Sequence, residues 1–169
     1  RLTDPAALLP LLVDAVQGQA FEADLIFERM QAAAALPAVA AASARLRCTG
    51  PTLERLARLS ARLHAGSGDF TVLHLVTSAH AVRLLVGFLG DDAQARNAGL
   101  AHYVRAWAAA VASVPRGPAR LLAGGAPDPL PWDELVATAL ASNDDHLVKL
   151  VFSAREETTA YGGDDWQRA

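Results

Sequence analysis

Two short stretches of this 169-residue chain concentrate side chains that can do chemistry. The first is Leu73-His74-Leu75-Val76-Thr77-Ser78-Ala79-His80-Ala81, where two imidazoles sit in apolar surroundings. Polar rings in such a segment carry a free-energy penalty unless hydrogen bonds or a ligand satisfy them. The second is Asn143-Asp144-Asp145-His146-Leu147-Val148-Lys149-Leu150, which holds the single lysine of the chain. An amine can do what a guanidinium cannot. It can sit buried in its neutral form, form a Schiff base, or take up carbon dioxide as a metal-binding carbamate.

Helical spacing restricts what these side chains can do together. Six residues of helix turn His74 and His80 roughly 120° apart, so either at most one of them points into a shared site or the helix is distorted. Thr77 lies between them. Its hydroxyl can fix one ring's tautomer, or bond back to its own helix. His146 and Lys149 are three residues apart and share a face. Val148, Val151 and Phe152 predict that this helix is largely buried. Its lysine then either snorkels outward or occupies a pocket. Asp144 and Asp145 can pair with it, or favour the helix start. His64 falls in the last turn of its helix, a good place for a cation. His102, beside Tyr103 and near Trp107, reads as a packed or hydrogen-bonded ring.

The elements that must position these residues read as helices almost throughout. Asp4-Pro5 opens a first helix toward Gly18. A second spans about Glu22 to Leu36 and stops at Pro37, and an alanine-rich piece follows to about Arg47. Leu53, Leu56, Leu59 and Leu63 make one apolar face on a helix that ends at Gly66 and Gly68. Asp69 caps an apolar helix from Thr71 to Leu89, closed by Gly90. Phe70 to Val76 is β-prone, but no partner strands occur elsewhere. Asp92 caps Ala93 to Val114. Arg116 to Pro131 is a Gly/Pro-rich loop. A short helix from Pro131 to about Ala141 and a longer one, Asp144 to Tyr161 with Asn143 as its cap, complete the set. Asp164-Asp165-Trp166 reads as the start of one more. The expectation is an all-α bundle of seven or eight helices in a single domain, 1–169.

Bulk properties narrow the function. The net charge is −3 with 52% hydrophobic residues, and no basic stripe is visible, which argues against a nucleic-acid partner. The longest uncharged stretch, Gln31 to Ala44, carries Pro37 and is too short for the ~20 residues a membrane span needs. Cys48 is the one cysteine and reads as a small buried residue in a cytoplasmic chain. No GxGxxG after a strand, P-loop, HExxH, GxSxG or CxxC occurs.

Phe70 to Leu85, with its His74-Leu75-Val76-Thr77 core and Arg83-Leu84-Leu85 end, resembles a helix of the questin oxidase-like family. Asp144-Asp145-His146-Leu147-Val148-Lys149-Leu150 is similar to that family's C-terminal segment, and the order and separation of the two fit. The resemblance implies an all-helical oxidoreductase of the NADPH-dependent, Baeyer–Villiger-like kind, opening an aromatic polyketide ring with oxygen. For parts of the family it also implies a non-haem Fe(II) centre built from histidines and a carboxylated lysine. Carried onto this chain, His74 and His146 become ligands, Lys149 a ligand as its carbamate, and His80 a further or alternative ligand, with Thr77 supporting a ring. Family members are longer and carry upstream histidines, whereas no histidine precedes His64 here. The expectation is therefore either the C-terminal part of a longer oxidoreductase or a reduced homologue with an incomplete site, with an N-terminal segment or partner chain as the missing partner. NADPH can be placed on no residue. The residues also allow a second reading, a non-catalytic helical domain that binds a small apolar ligand or a partner chain.

Overall fold

The computed structural model describes residues 1–169. It contains no strand beyond one isolated parallel bridge, Leu2 to Leu46. Nine α-helices follow in order: α1 Leu8–Ala15, α2 Ile26–Ala34, α3 Pro37–Ser43, α4 Thr52–Ser67, α5 Phe70–Gly87, α6 Ala93–Ala112, α7 Trp132–Ser142, α8 Asp145–Tyr161 and α9 Asp165–Arg168. Two 3-10 turns, Pro5–Ala7 and Pro118–Leu122, fill the gaps. The all-α expectation holds, with one short helix more than the seven or eight read from the sequence.

Helix α5 is the centre. It packs against α4, α6 and α8, while α1, α2 and α3 cover α6 and α7 covers α8. Its length and apolar character would suffice to cross a membrane by composition alone, with a mean hydropathy of 1.4. In the fold its buried residues, Val72, Leu73, Leu75, Val76 and Ala79 among them, pack within the bundle, while Phe70, Leu84 and Leu85 are exposed. Alanines at the crossings, among them Ala57, Ala61, Ala79, Ala108 and Ala112, are fully buried. Small side chains let the backbones approach closely, and the larger Leu56, Val72, Val104 and Trp107 fill the spaces between. Trp107 is fully buried, and its indole donates to Ser60 Oγ at 2.9 Å. That bond satisfies the one polar atom of the largest core side chain.

The ends of the central helices follow from caps. Asp69 accepts from Thr71 and Val72 N–H at the start of α5, and Asp144 accepts from His146 N–H at the start of α8. Gly68 takes the left-handed conformation that stops α4. The largest boundary difference is at α2, which begins at Ile26 rather than near Glu22. Arg29 Nη1 donates to the Ala23 carbonyl at 2.8 Å and to the Asp24 carbonyl, holding that segment outside the helix.

Candidate functional site

Helices α5 and α8 lie side by side and run in the same direction. His74 meets His146 near their N-termini, Val76 and Leu73 meet Leu150, and His80 meets Phe152 further along. The parallel course brings two helix starts to one end of the molecule. There the rings of His74 and His146 stand 5.5 Å apart, centroid to centroid, at 61°. Phe70 closes a triangle, edge-on to both at 4.7 and 4.9 Å. Two residues 72 positions apart in sequence are thus brought together.

Hydrogen bonds fix which nitrogen of each ring is free. His74 Nδ1 lies 2.8 Å from the Phe70 carbonyl oxygen, which can only accept. Nδ1 therefore carries the proton, and the neutral ring keeps its lone pair on Nε2. His146 Nδ1 faces two carboxylates, Asp144 Oδ1 at 3.3 Å and Asp145 Oδ1 at 3.2 Å. It too donates from Nδ1 and keeps Nε2 free. A carboxylate or carbonyl behind an imidazole is the usual support of a metal-binding histidine.

Lys149 is placed differently. Its ammonium donates to Asp145 Oδ2 at 2.5 Å on an exposed face, with 63% of the side chain accessible. Hydrogen bonding by that ammonium holds the Asp145 carboxyl below the usual range. The expectation that α8 is largely buried is corrected, since Val148 and Phe152 are exposed. The reason is that only α5, α7 and α9 cover this helix.

Beside His74 a cleft of about 710 Å³ opens between α2, α5 and α6. Phe27, Met30, Leu75, Val82 and Trp107 give it apolar walls. His74, Thr77, Ser78 and Tyr103 supply polar groups. Apolar walls with a few convergent polar atoms are what a small organic ligand needs. Burial pushes the Tyr103 phenol well up, so it stays protonated. Thr77 donates to the His74 carbonyl of its own helix at 3.2 Å, so its link to the histidine is through the backbone and not the ring.

His80 goes elsewhere. Its Nδ1 lies 2.9 Å from Oε1 of Glu157, a fully buried carboxylate that also takes Arg83 Nε at 2.7 Å. The structure keeps His80 apart from the His74–His146 pair, as six residues of undistorted helix require. Glu157, Ser78 and Tyr103 were not singled out from the sequence. Tyr103 carried a signal, since it lies one turn from Trp107 on one helical face. Glu157 carried only a weaker one, the need of a buried histidine for a partner. His102, read as packed, is exposed, because it sits about 100° around α6 from buried Tyr103. Cys48 is partly buried, and that burial raises its thiol, which disfavours the thiolate.

The implied iron fits this arrangement in part. Imidazoles held through Nδ1–H offer Nε2 as the ligand atom for Fe(II). The ligand atoms that converge within 4.8 Å of one another are those of Asp144, Asp145 and His146, with the His74 ring beside them at 5.5 Å, centroid to centroid. The Lys149 amine, ion-paired as an ammonium, does not fit as a carbamate in this geometry.

A family model described as questin oxidase-like matches residues 7–154. The match runs from the start of α1 well into α8. It covers most of the chain, which corrects the expectation that the likeness is to a C-terminal portion only. No curated protein and no solved structure matches the chain.

Proposed function

Because the chain belongs to the questin oxidase-like family, we propose that it is an oxygenase that holds an aromatic substrate in the α2–α5–α6 cleft beside a His74–His146 iron site. The observation that carries this reading is the double placement of His74. It lines the cleft, and its ring meets that of His146. A ligand in the cleft therefore lies against the one imidazole that could also bind a metal.

In this reading each residue has a physical task. The Phe70 carbonyl presets the His74 tautomer, and Asp144 and Asp145 do the same for His146. Phe27, Met30 and Val82 exclude water from a flat ring. Exclusion of water strengthens every electrostatic interaction in the cleft. Fe(II), when bound, would supply open positions at which dioxygen is activated. NADPH is assigned to no residue. The fold has no strand–turn–helix unit of the kind that usually holds a dinucleotide pyrophosphate. Lys149 is assigned its ion pair with Asp145 and not a ligand role.

Iron titration under anaerobic conditions tests this. Wild type should bind one Fe(II) per chain. His74→Ala and His146→Ala should each weaken binding by about 10-fold or more, the scale of a lost direct ligand or its support. Lys149→Arg, which keeps charge but forbids a carbamate, should bind iron as wild type does. Unchanged binding in both histidine variants would overturn the iron site. It would favour the second reading, a non-catalytic domain with an apolar ligand in the same cleft. Loss of iron in Lys149→Arg alone would restore the carbamate.

A further inference from the structure

His74, Thr77, Ser78 and Tyr103 of the α2–α5–α6 cleft share a property that their identities alone do not reveal: their protons are already used inside the protein. His74 donates from Nδ1 to the Phe70 carbonyl at 2.8 Å. Thr77 Oγ1 donates to the His74 carbonyl at 3.2 Å. Ser78 Oγ lies 3.3 Å from the Leu75 carbonyl, and Tyr103 Oη lies 3.3 Å from the same oxygen. The two hydroxyls are 3.2 Å apart. However these two protons are arranged, the acceptors for them are protein oxygens. Trp107 Nε1 is bound to Ser60. Thr71 accepts a hydrogen bond from Arg29 Nη2 at 3.4 Å and, at 2% exposure, is buried away from a ligand in the open cleft.

What these four groups keep for a ligand is lone pairs: those on Nε2 of His74, whose Nδ1 proton is held by the Phe70 carbonyl, and on the oxygens of Thr77, Ser78 and Tyr103. An oxygen can accept from a ligand without giving up the bond its own proton makes. To donate, the same hydroxyl must first break that bond, so the exchange gains little. The desolvated phenol of Tyr103 does not ionise near neutral pH, so no fixed charge competes with this pattern.

We infer that Ser78 and Tyr103 are specificity-determining residues that position an aromatic ligand by accepting a hydrogen bond from one of its ring hydroxyls. The cleft selects hydroxyarenes over the same rings capped as ethers. This rests on the cleft being the ligand site of the proposed oxygenase, but not on iron.

The test is a titration of the full chain, without added metal, with 2-naphthol and with 2-methoxynaphthalene, followed by probe fluorescence. The ether keeps the ring and the oxygen but lacks the donor. Wild type should bind 2-naphthol about tenfold more tightly, the scale of one net hydrogen bond. In Ser78→Ala/Tyr103→Phe the preference should fall to within about twofold, with ether affinity retained. Tyr103→Phe alone, which keeps the ring that fills the core, serves if the double variant does not fold, and should lose part of the preference. Equal binding of the two probes by wild type overturns the inference. So does binding of neither, or a preference that survives both variants. Fe(II) titration of the same variants separates the two ideas. Iron retained without discrimination sinks this inference alone, and discrimination without iron sinks the oxygenase alone.

Discussion

His64 ends α4 with its Nδ1–H donating to the main-chain oxygen of Ala169, the residue that closes the chain over it. Read locally, a histidine in the last turn of a helix is a cation on the favourable end of a dipole. The fold reverses that. Burial pushes the ring below its ordinary value of 6.5, and the Ala169 oxygen and nearby Asp69 offset this only in part. The local pattern could not show it, because the cover comes from a segment 105 residues away. The consequence is a pH dependence with a definite sign. The folded state keeps His64 neutral, while the unfolded chain takes up a proton as the pH falls through about 6.5. The stabilisation is complete above that pH and is lost progressively below it, down to the lower folded value. Urea unfolding between about pH 7.5 and about pH 5 should show a steeper loss in wild type than in His64→Gln. Parallel curves would remove His64 from the acid response.

At the scale of elements, the sequence carried the helix starts and hid what joins the helices. Asp69 and Asp92 each cap a helix at the position their spacing indicated, whereas α8 is capped by Asp144 and the expected cap, Asn143, takes the left-handed conformation that ends α7. Caps are local, so they are legible. The pairing of α5 with α8 is not local. It uses Leu73, Val76 and Leu150, and beyond them the buried Glu157 with His80 and Arg83. The His74–His146 meeting depends on that pairing, so the site was legible only through family resemblance. The Glu157 cluster lets the coupling be measured. Arg83 is a quarter exposed, whereas the Glu157 side chain has no exposure and its Oε2 has no hydrogen-bond partner. Removing Arg83 strands a buried carboxylate with His80 alone. Removing the charge of Glu157 leaves a guanidinium that can turn to water. Arg83→Ala should therefore lower unfolding free energy by about 3–5 kcal/mol, and Glu157→Gln by clearly less. Equilibrium urea denaturation decides the order, and the reverse order would show that the guanidinium is the stranded charge.

Across the whole molecule, the Gly/Pro-rich stretch from Arg116 to Pro131 was legible as a break in the helices but not as part of the packing. It folds back as a strap. Pro118 and Leu121 are buried, Arg120 binds Asp69 at the cap of α5, and Arg168 of α9 donates to the Pro127 carbonyl. Through Asp69 the strap touches the helix that carries His74. Its closest approach is Gly124 against Gly66 near the end of α4. A Cβ added at Gly124 would lie 1.6 Å from the Gly66 carbonyl oxygen, a backbone atom that cannot swing aside. A Cβ at the next residue, Gly125, meets nothing within 4 Å. Periodicity and turn chemistry describe each segment by itself, so neither could show that two glycines far apart in sequence are in contact. The pair makes its own control. Gly124→Ala should lower unfolding free energy by about 1–3 kcal/mol, the usual range for overpacking, because the strap must lift from α4. Gly125→Ala should stay within about 0.5 kcal/mol of wild type. If the strap holds the α5 start through Arg120 and Asp69, Gly124→Ala should also weaken the preference for 2-naphthol, whereas Gly125→Ala should not. Equal stability of the two variants would mean that the strap does not rest on α4 in solution, and the cleft would then owe its shape to the bundle helices alone.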